Sequence, residues 1–293
     1  MRANTIPDGR QCLPATAGRF AQITAVSAFI LLIAGGLVTS TGSGLSVPDW
    51  PLSFGKFFPK MVGGVAFEHG HRVIAGAVSL LTFSLTLWVR FQESRPWVRR
   101  MAYGASAAII LQALLGAATV LWRLPAAISI AHACLAQGVF CLLLALAEAT
   151  SPQYRLLSSK GLPAGLWKTG AFGFCVVYLQ LFWGALLRHT GEGLAFHVIW
   201  AFVVLGALAA LVYKSAPIGI AIGAVPGLLR PAAGLAALLP LQLILGYLSY
   251  RNGLLSDFRS DWATAVVPTM HVASGALILG TCLIWTLRAY RAQ

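Results

Sequence analysis

The sequence predicts an all-α polytopic membrane protein, with eight transmembrane helices forming two tandem four-helix bundles of the same orientation. Three observations lead there. Hydrophobic residues make up 58% of the 293 and charged residues only 10%, against about a quarter charged in a soluble domain. The apolar residues fall in long continuous runs, not in the alternating segments that a lipid-facing barrel requires. Short motifs in the first half of the chain recur in the second.

The same composition excludes disordered, collagen-like and disulfide-stapled secreted classes. The net charge of +13 does not indicate DNA or RNA binding. A nucleic-acid binder displays its charge on one wet face, whereas here basic residues sit in short clusters between apolar runs.

A bilayer core of about 30 Å takes about 20 apolar residues as helix. The first run to meet this is 20–40, too long and too poorly flanked for a cleaved signal peptide and therefore a span. The others are 69–89, 101–121, 126–147, 168–188, 195–213, 231–250 and 267–288. The longest connections, 41–68, 148–167, 214–230 and 251–266, leave no room for a separate soluble domain.

Charge sets the expected orientation. Arg2, Arg10, Arg19, Arg90, Arg95, Arg99, Arg100, Arg155, Lys160, Lys168, Lys214, Arg230, Arg288 and Arg291 fall on one side, with Asp8, Glu93 and Glu148. Lys56, Lys60, Arg72, Arg123, Arg188, Arg251 and Arg259 fall on the other, with Asp49, Glu68, Glu192, Asp257 and Asp261. The richer basic side is the cytoplasmic one, and both termini belong to it.

The halves repeat. Gly35 precedes Thr41-Gly42-Ser43-Gly44-Leu45 as Gly184 precedes Thr190-Gly191-Glu192-Gly193-Leu194. Leu111-Gln112-Ala113-Leu114-Leu115-Gly116 in span 3 matches Leu241-Gln242-Leu243-Ile244-Leu245-Gly246 in span 7. Each copy holds an even number of spans, so the repeat is parallel rather than inverted. The expected units are 1–150 and 151–293.

Five of the six histidines fall near the outer ends of the even-numbered spans: His69 and His71, His132, His197 and His271. His189 reads as a solvated residue of the loop after span 5. A lone histidine near a helix end is usually an interfacial hydrogen-bonding residue, yet an ionisable group inside a span is a functional candidate. Imidazole is a common ligand of heme iron, and facing histidines at one depth in a four-helix bundle can hold one iron from both sides. His71 with His132, and His197 with His271, would make two such sites. Four residues after each stands Ala75, Ala136, Ala201 or Gly275, small enough to leave room for a flat macrocycle.

Zinc or copper fits less well, because it calls for three or four converging ligands with cysteine or carboxylate help. Cys12 lies in the inner tail, Cys134 and Cys141 in span 4, Cys175 in span 5 and Cys282 in span 8, where they read as small packing residues. No Cys-x-x-Cys-His motif indicates covalent heme attachment.

Thr41-Gly42-Ser43-Gly44-Leu45-Ser46-Val47-Pro48-Asp49-Trp50-Pro51, followed by Glu68-His69-Gly70-His71-Arg72, resembles the first outer loop and the Glu-x-x-His-Arg motif of the heme A synthase family. The resemblance extends over the whole chain in span count and in one histidine per even span. It implies oxidation of a ring methyl of heme O to a formyl group, giving heme A for terminal oxidases. It implies heme O as substrate between His71 and His132, and a heme b cofactor with bis-histidine ligation by His197 and His271. Glu68 would be catalytic, as proton acceptor, water orienter or stabiliser of developing positive charge, with an ion pair to Arg72 as the plain structural alternative. Arg72 would bind a heme propionate or make that pair. His69 would be interfacial, and Asp49, Trp50 and Pro51 would cap the site or form an ordinary structured loop.

One departure stands out. Many bacterial members carry two cysteines in this loop, and the corresponding positions here are Val47 and Ser53. The resemblance further implies a bacterial plasma membrane, heme sites near its outer face, and work alongside a heme O synthase and terminal oxidase assembly, with an electron acceptor the sequence does not identify. Self-association as a homo-oligomer is compatible with the sequence. The rival classes are a di-heme b-type cytochrome that only transfers electrons, a transporter with a histidine proton relay, and a non-enzymatic assembly factor.

Overall fold

The computed structural model describes residues 15–157, 162–221, 226–254 and 262–293. Arg2, Asp8, Arg10, Cys12, Lys160, Asp257, Arg259 and Asp261 lie outside the described residues.

Among the described residues the secondary structure is nine α-helices and one isolated antiparallel bridge between Ser53 and Lys56. The helices are α1 (Ala15–Ser40), α2 (Gly64–Gln92), α3 (Pro96–Leu121), α4 (Ala126–Thr150), α5 (Pro152–Leu156), α6 (Trp167–Thr190), α7 (Leu194–Ala221), α8 (Pro226–Leu254) and α9 (Trp262–Arg291). All but α5 are long and apolar enough to cross a membrane, so the chain is an integral membrane protein with the eight spans expected. The short α5 escaped the sequence reading because five residues carry no periodicity. It rests on Ser151, whose hydroxyl accepts the Tyr154 amide at 3.1 Å, and on Pro152 in the first turn.

The helices overrun the apolar runs because a helical backbone satisfies itself until something stops it. Gly63, at φ 56°, ends the 41–63 loop and lets α2 begin at Gly64, five residues before the expected start. Pro96 opens α3. Gly191, at φ 76°, closes α6 in the left-handed conformation typical of a helix C-terminus. His189 is therefore in the last turn of α6 and half-buried, not in a loop.

Within the first half, α1 packs on α2, α2 on α3, α3 on α4 and α4 back on α1. In the second half α6, α7, α8 and α9 close a ring in the same way. The rings meet along a seam where α1 and α4 face α6 and α9. Helices in lipid lack a hydrophobic drive to associate and pack through small residues instead. Ala17, Ala21, Ala25 and Ala28 form such a buried stripe on α1, and a Cβ at Gly18 would stand 3.0 Å from the Thr150 carbonyl oxygen.

Polar groups pin both ends of the seam. At the end remote from the 41–63 loop, Arg288 of α9 grips Glu148 of α4 with Nε and Nη2 at 2.6 and 2.9 Å. At the loop end, Arg188 Nη2 donates to the Gly36 carbonyl and to Ser40, and Ser40 shares a 2.9 Å hydrogen bond with Thr269.

Candidate functional site

Four histidines stand near the loop end of the molecule, each leaning on a glycine of the preceding span. A Cβ on Gly35 would sit 3.1 Å from Cε1 of His71. The same distance separates Gly116 from His132 and Gly184 from His197, and Gly246 is 2.9 Å from His271. These approaches are tighter than an ordinary Cβ contact, so glycine is what lets the Cε1 corner of each ring come up against the neighbouring helix. Gly35, Gly116, Gly184 and Gly246 thus have a shared job that sequence matching hinted at only pairwise.

The His197 and His271 ring centroids are 6.2 Å apart, with planes at 71°. Imidazole nitrogen binds a metal at about 2 Å, so two rings on opposite faces of one iron stand about 6 Å apart, centroid to centroid. The pair therefore fits a single bis-histidine iron. His71 and His132 lie within electrostatic reach of each other. Nδ1 of His71, His132 and His271 is buried and makes no hydrogen bond within the protein. Buried polar atoms are nearly always satisfied, and an iron ligand set would account for this shared deficit. Among the described residues no group of three or more His, Cys, Asp and Glu side chains converges.

Three glutamines complete the arrangement. Gln112 Nε2 donates to the His132 carbonyl at 3.1 Å and lies 3.4 Å from its Nε2. Gln180 Nε2 donates to the His197 carbonyl at 3.0 Å and touches both ring nitrogens at 3.2 and 3.4 Å. Gln242 Nε2 is 3.4 Å from His271 Nε2, and its Oε1 accepts from Ser274. Sequence reasoning noted Gln112 and Gln242 as repeat markers without giving them a role, and it missed Gln180. The signal was present, because Gln180-x-x-x-Gly184 repeats Gln112-x-x-x-Gly116. At Gly275 the space read as room for a macrocycle is lined instead by Leu181 and Gln242, 3.3 and 3.4 Å from where a Cβ would stand.

Glu68 and its neighbours hold the 41–63 loop. Glu68 is 3% exposed. Its Oε2 accepts the Val47 amide at 2.8 Å, and its Oε1 accepts Arg72 Nη2 at 2.6 Å. Arg72 Nη1 also donates to the carbonyls of Asp49 and Leu52 at 2.6 and 2.9 Å. His69 is buried rather than interfacial, and its Nδ1 shares a 2.8 Å hydrogen bond with the Ser53 hydroxyl. Val47 and Ser53 are thus both tied to α2 by consecutive residues of that helix. Arg72 stands on α2 in the first half, where its guanidinium is engaged by the loop, and not beside the His197–His271 pair.

Asp49 shapes the loop tip. Its carboxylate accepts the amides of Gly55 and Phe54 at 2.8 and 2.7 Å, and these bonds, Gly55 first, hold its pKa below the usual carboxylate value. They also support Phe54 at φ 54° and Gly55 at φ 67°. Trp50 is partly exposed, and its bond to Pro51 is cis. Of the cysteines, Cys141 and Cys282 are buried in the core, Cys134 is half-buried and Cys175 is exposed.

The chain resembles known proteins over this region. Residues 64–199 match the family described as cytochrome oxidase assembly protein. The heme A synthase of Symbiobacterium thermophilum is 34% identical over 170 residues, covering 55% of each chain. The heme A synthases of Bacillus licheniformis and Bacillus pumilus are 33% and 32% identical over 184 residues, covering 59% of each chain. The chain thus spans under two thirds of the length of the curated relatives it matches.

Proposed function

We propose that this chain, whose residues 64–199 match the family described as cytochrome oxidase assembly protein, is a heme A synthase that oxidises a ring methyl of heme O to a formyl group. The observation that carries this reading is the asymmetry between two otherwise matched histidine pairs. In the first half a buried carboxylate, Glu68, stands one helical turn before His71. In the second half the residue three before His197 is Leu194, and Val198 replaces Arg72. A pure electron carrier has no use for such a difference.

In this reading His71 and His132 hold heme O as substrate in the unit 1–150. His197 and His271 hold a resident heme b in the unit 151–293, where it supplies a one-electron redox centre. Each of two hydroxylations adds oxygen from water and releases two electrons and two protons to outside acceptors. Loss of water from the resulting gem-diol leaves the formyl group. Glu68 is the catalytic group that accepts a proton as water attacks. To do so it must loosen its bond to Arg72 or to the Val47 amide. Arg72 still holds the Asp49 and Leu52 carbonyls when that happens, so the loop keeps water access controlled. Arg72 is thereby placed to serve the substrate site, and its unused donor capacity can meet a propionate there.

The positive-inside asymmetry supports cytoplasmic termini in a bacterial plasma membrane, with both heme sites near the outer face. Heme O would come from a heme O synthase, and the product would go to terminal oxidase assembly.

The test is heme extraction after co-expression with a heme O synthase in a host lacking heme A. Heme A in the extract is the expected result. Only heme B and heme O, where a known synthase yields heme A, would overturn the proposal. Replacing His197 or His271 should remove heme b while the first site still binds. Equal loss of every heme in all four histidine variants would refute the two-site assignment.

A further inference from the structure

Aligning the four glycine–histidine contacts exposes one mismatch. Four residues before the glycine stand Gln112, Gln180 and Gln242 in spans 3, 5 and 7, but Leu31 in span 1. Gln112 and Gln180 donate their side-chain amides to the backbone carbonyls of His132 and His197 at 3.1 and 3.0 Å, and the Gln242 amide nitrogen lies 3.4 Å from His271 Nε2. Leu31 has no polar side-chain atom to offer, and no glutamine amide meets His71 as Gln112, Gln180 and Gln242 meet the other three; the unbonded Nδ1 of His71 is shared with His132 and His271.

We propose that Leu31 makes His71 the releasable ligand of the first site, while Gln112, Gln180 and Gln242 act as positioning residues that hold His132, His197 and His271. The inference rests on the heme reading above and deepens it. A substrate heme must enter and leave at every turnover, so one of its two ligands must let go. A resident heme needs both of its ligands held. Outer-shell partners fix ring orientation, and losing one costs about 10–100-fold in metal affinity. The first site has one held ligand and one unheld; the second has both held.

The test uses the full chain in detergent, loaded by co-expression with a heme O supply, reduced, and titrated with carbon monoxide while the Soret band is followed. Carbon monoxide competes with a ligand that dissociates and spares one that does not. Wild type is expected to take up carbon monoxide at one of its two hemes. Leu31→Gln should raise the carbon monoxide concentration for half-saturation about tenfold. That shift should vanish in a His71→Ala background, because Leu31 acts through His71. Gln180→Leu should make the second heme reactive as well, and this arm decides the matter if Leu31→Gln does not fold. Overturning results are a Leu31→Gln protein that keeps both hemes with wild-type uptake, a shift that persists without His71, or a Gln180→Leu protein whose second heme stays inert. A wild-type chain that takes up no heme overturns the site reading and this inference together.

Discussion

At the scale of single residues, the acidic groups of the loop end have two distinct jobs. Glu68 is buried and paired, so Glu68→Gln removes the negative charge opposite Arg72 while keeping an oxygen for the Val47 amide. Heme A formation should fall by about 100-fold, within the usual range for a lost acid–base group, while heme b at His197 and His271 is retained. Chromatography of extracted hemes beside the reduced spectrum checks both halves of that statement, and unchanged heme A yield would remove Glu68 from the chemistry. Asp49 is solvated, and its role is local. Because amides stabilise its charged form, its folded pKa is depressed. Its contribution to loop order is therefore present above the ordinary carboxylate range near pH 3.9 and is lost as pH falls through the lower folded value. Fluorescence from the loop, read against Asp49→Asn, should show an acid transition in the wild type that the variant lacks. Both glutamate and aspartate were visible in the sequence, but their partners were not. Val47 lies 21 residues from Glu68 and Phe54 lies five from Asp49, and only the folded loop brings those amides to the carboxylates.

At the scale of helices, the glycine contacts make a sharp comparison. Gly246→Ala would place a methyl 2.9 Å from His271 Cε1, closer than real Cβ atoms come, so the ring must swing away. Loss of the second-site bis-histidine spectrum with the first site preserved is the expected outcome. Gly206 in α7 has nothing within 4 Å of its Cβ direction, and Gly206→Ala should raise thermal stability by about 0.5–1 kcal/mol through helix propensity. If both substitutions behave alike in heme spectra and melting, the contacts are incidental. The number and order of the spans were legible from the apolar runs, because a membrane helix is specified by length and composition. Helix ends were not, since they depend on stops such as Gly63 and Gly191 whose backbone angles the sequence does not display. His189 changed surroundings for that reason.

At the scale of the whole molecule, the two rings are joined by small-residue packing and by a few polar pins. Glu148 and Arg288 are 6% and 12% exposed at their side chains, so breaking the pair strands a charge in a dry seam. Glu148→Gln should lower stability by about 3 kcal/mol, measured by thermal or denaturant melting of the detergent-solubilised protein. Restoration of the melt on adding Arg288→Met would attribute the loss to the stranded cation; no restoration would place it elsewhere. The sequence by itself determined the membrane class, the eight spans and the set of histidines at one depth, because each depends on composition and spacing along a single helix. It also held the repeat of Gln, Gly and His, although only in fragments. Tertiary structure alone decided that Glu148 meets Arg288 across 140 residues and that Glu68, His69 and Arg72 clamp the 41–63 loop. Those outcomes depend on which helix faces which, and that is settled by packing among many helices rather than by any one of them.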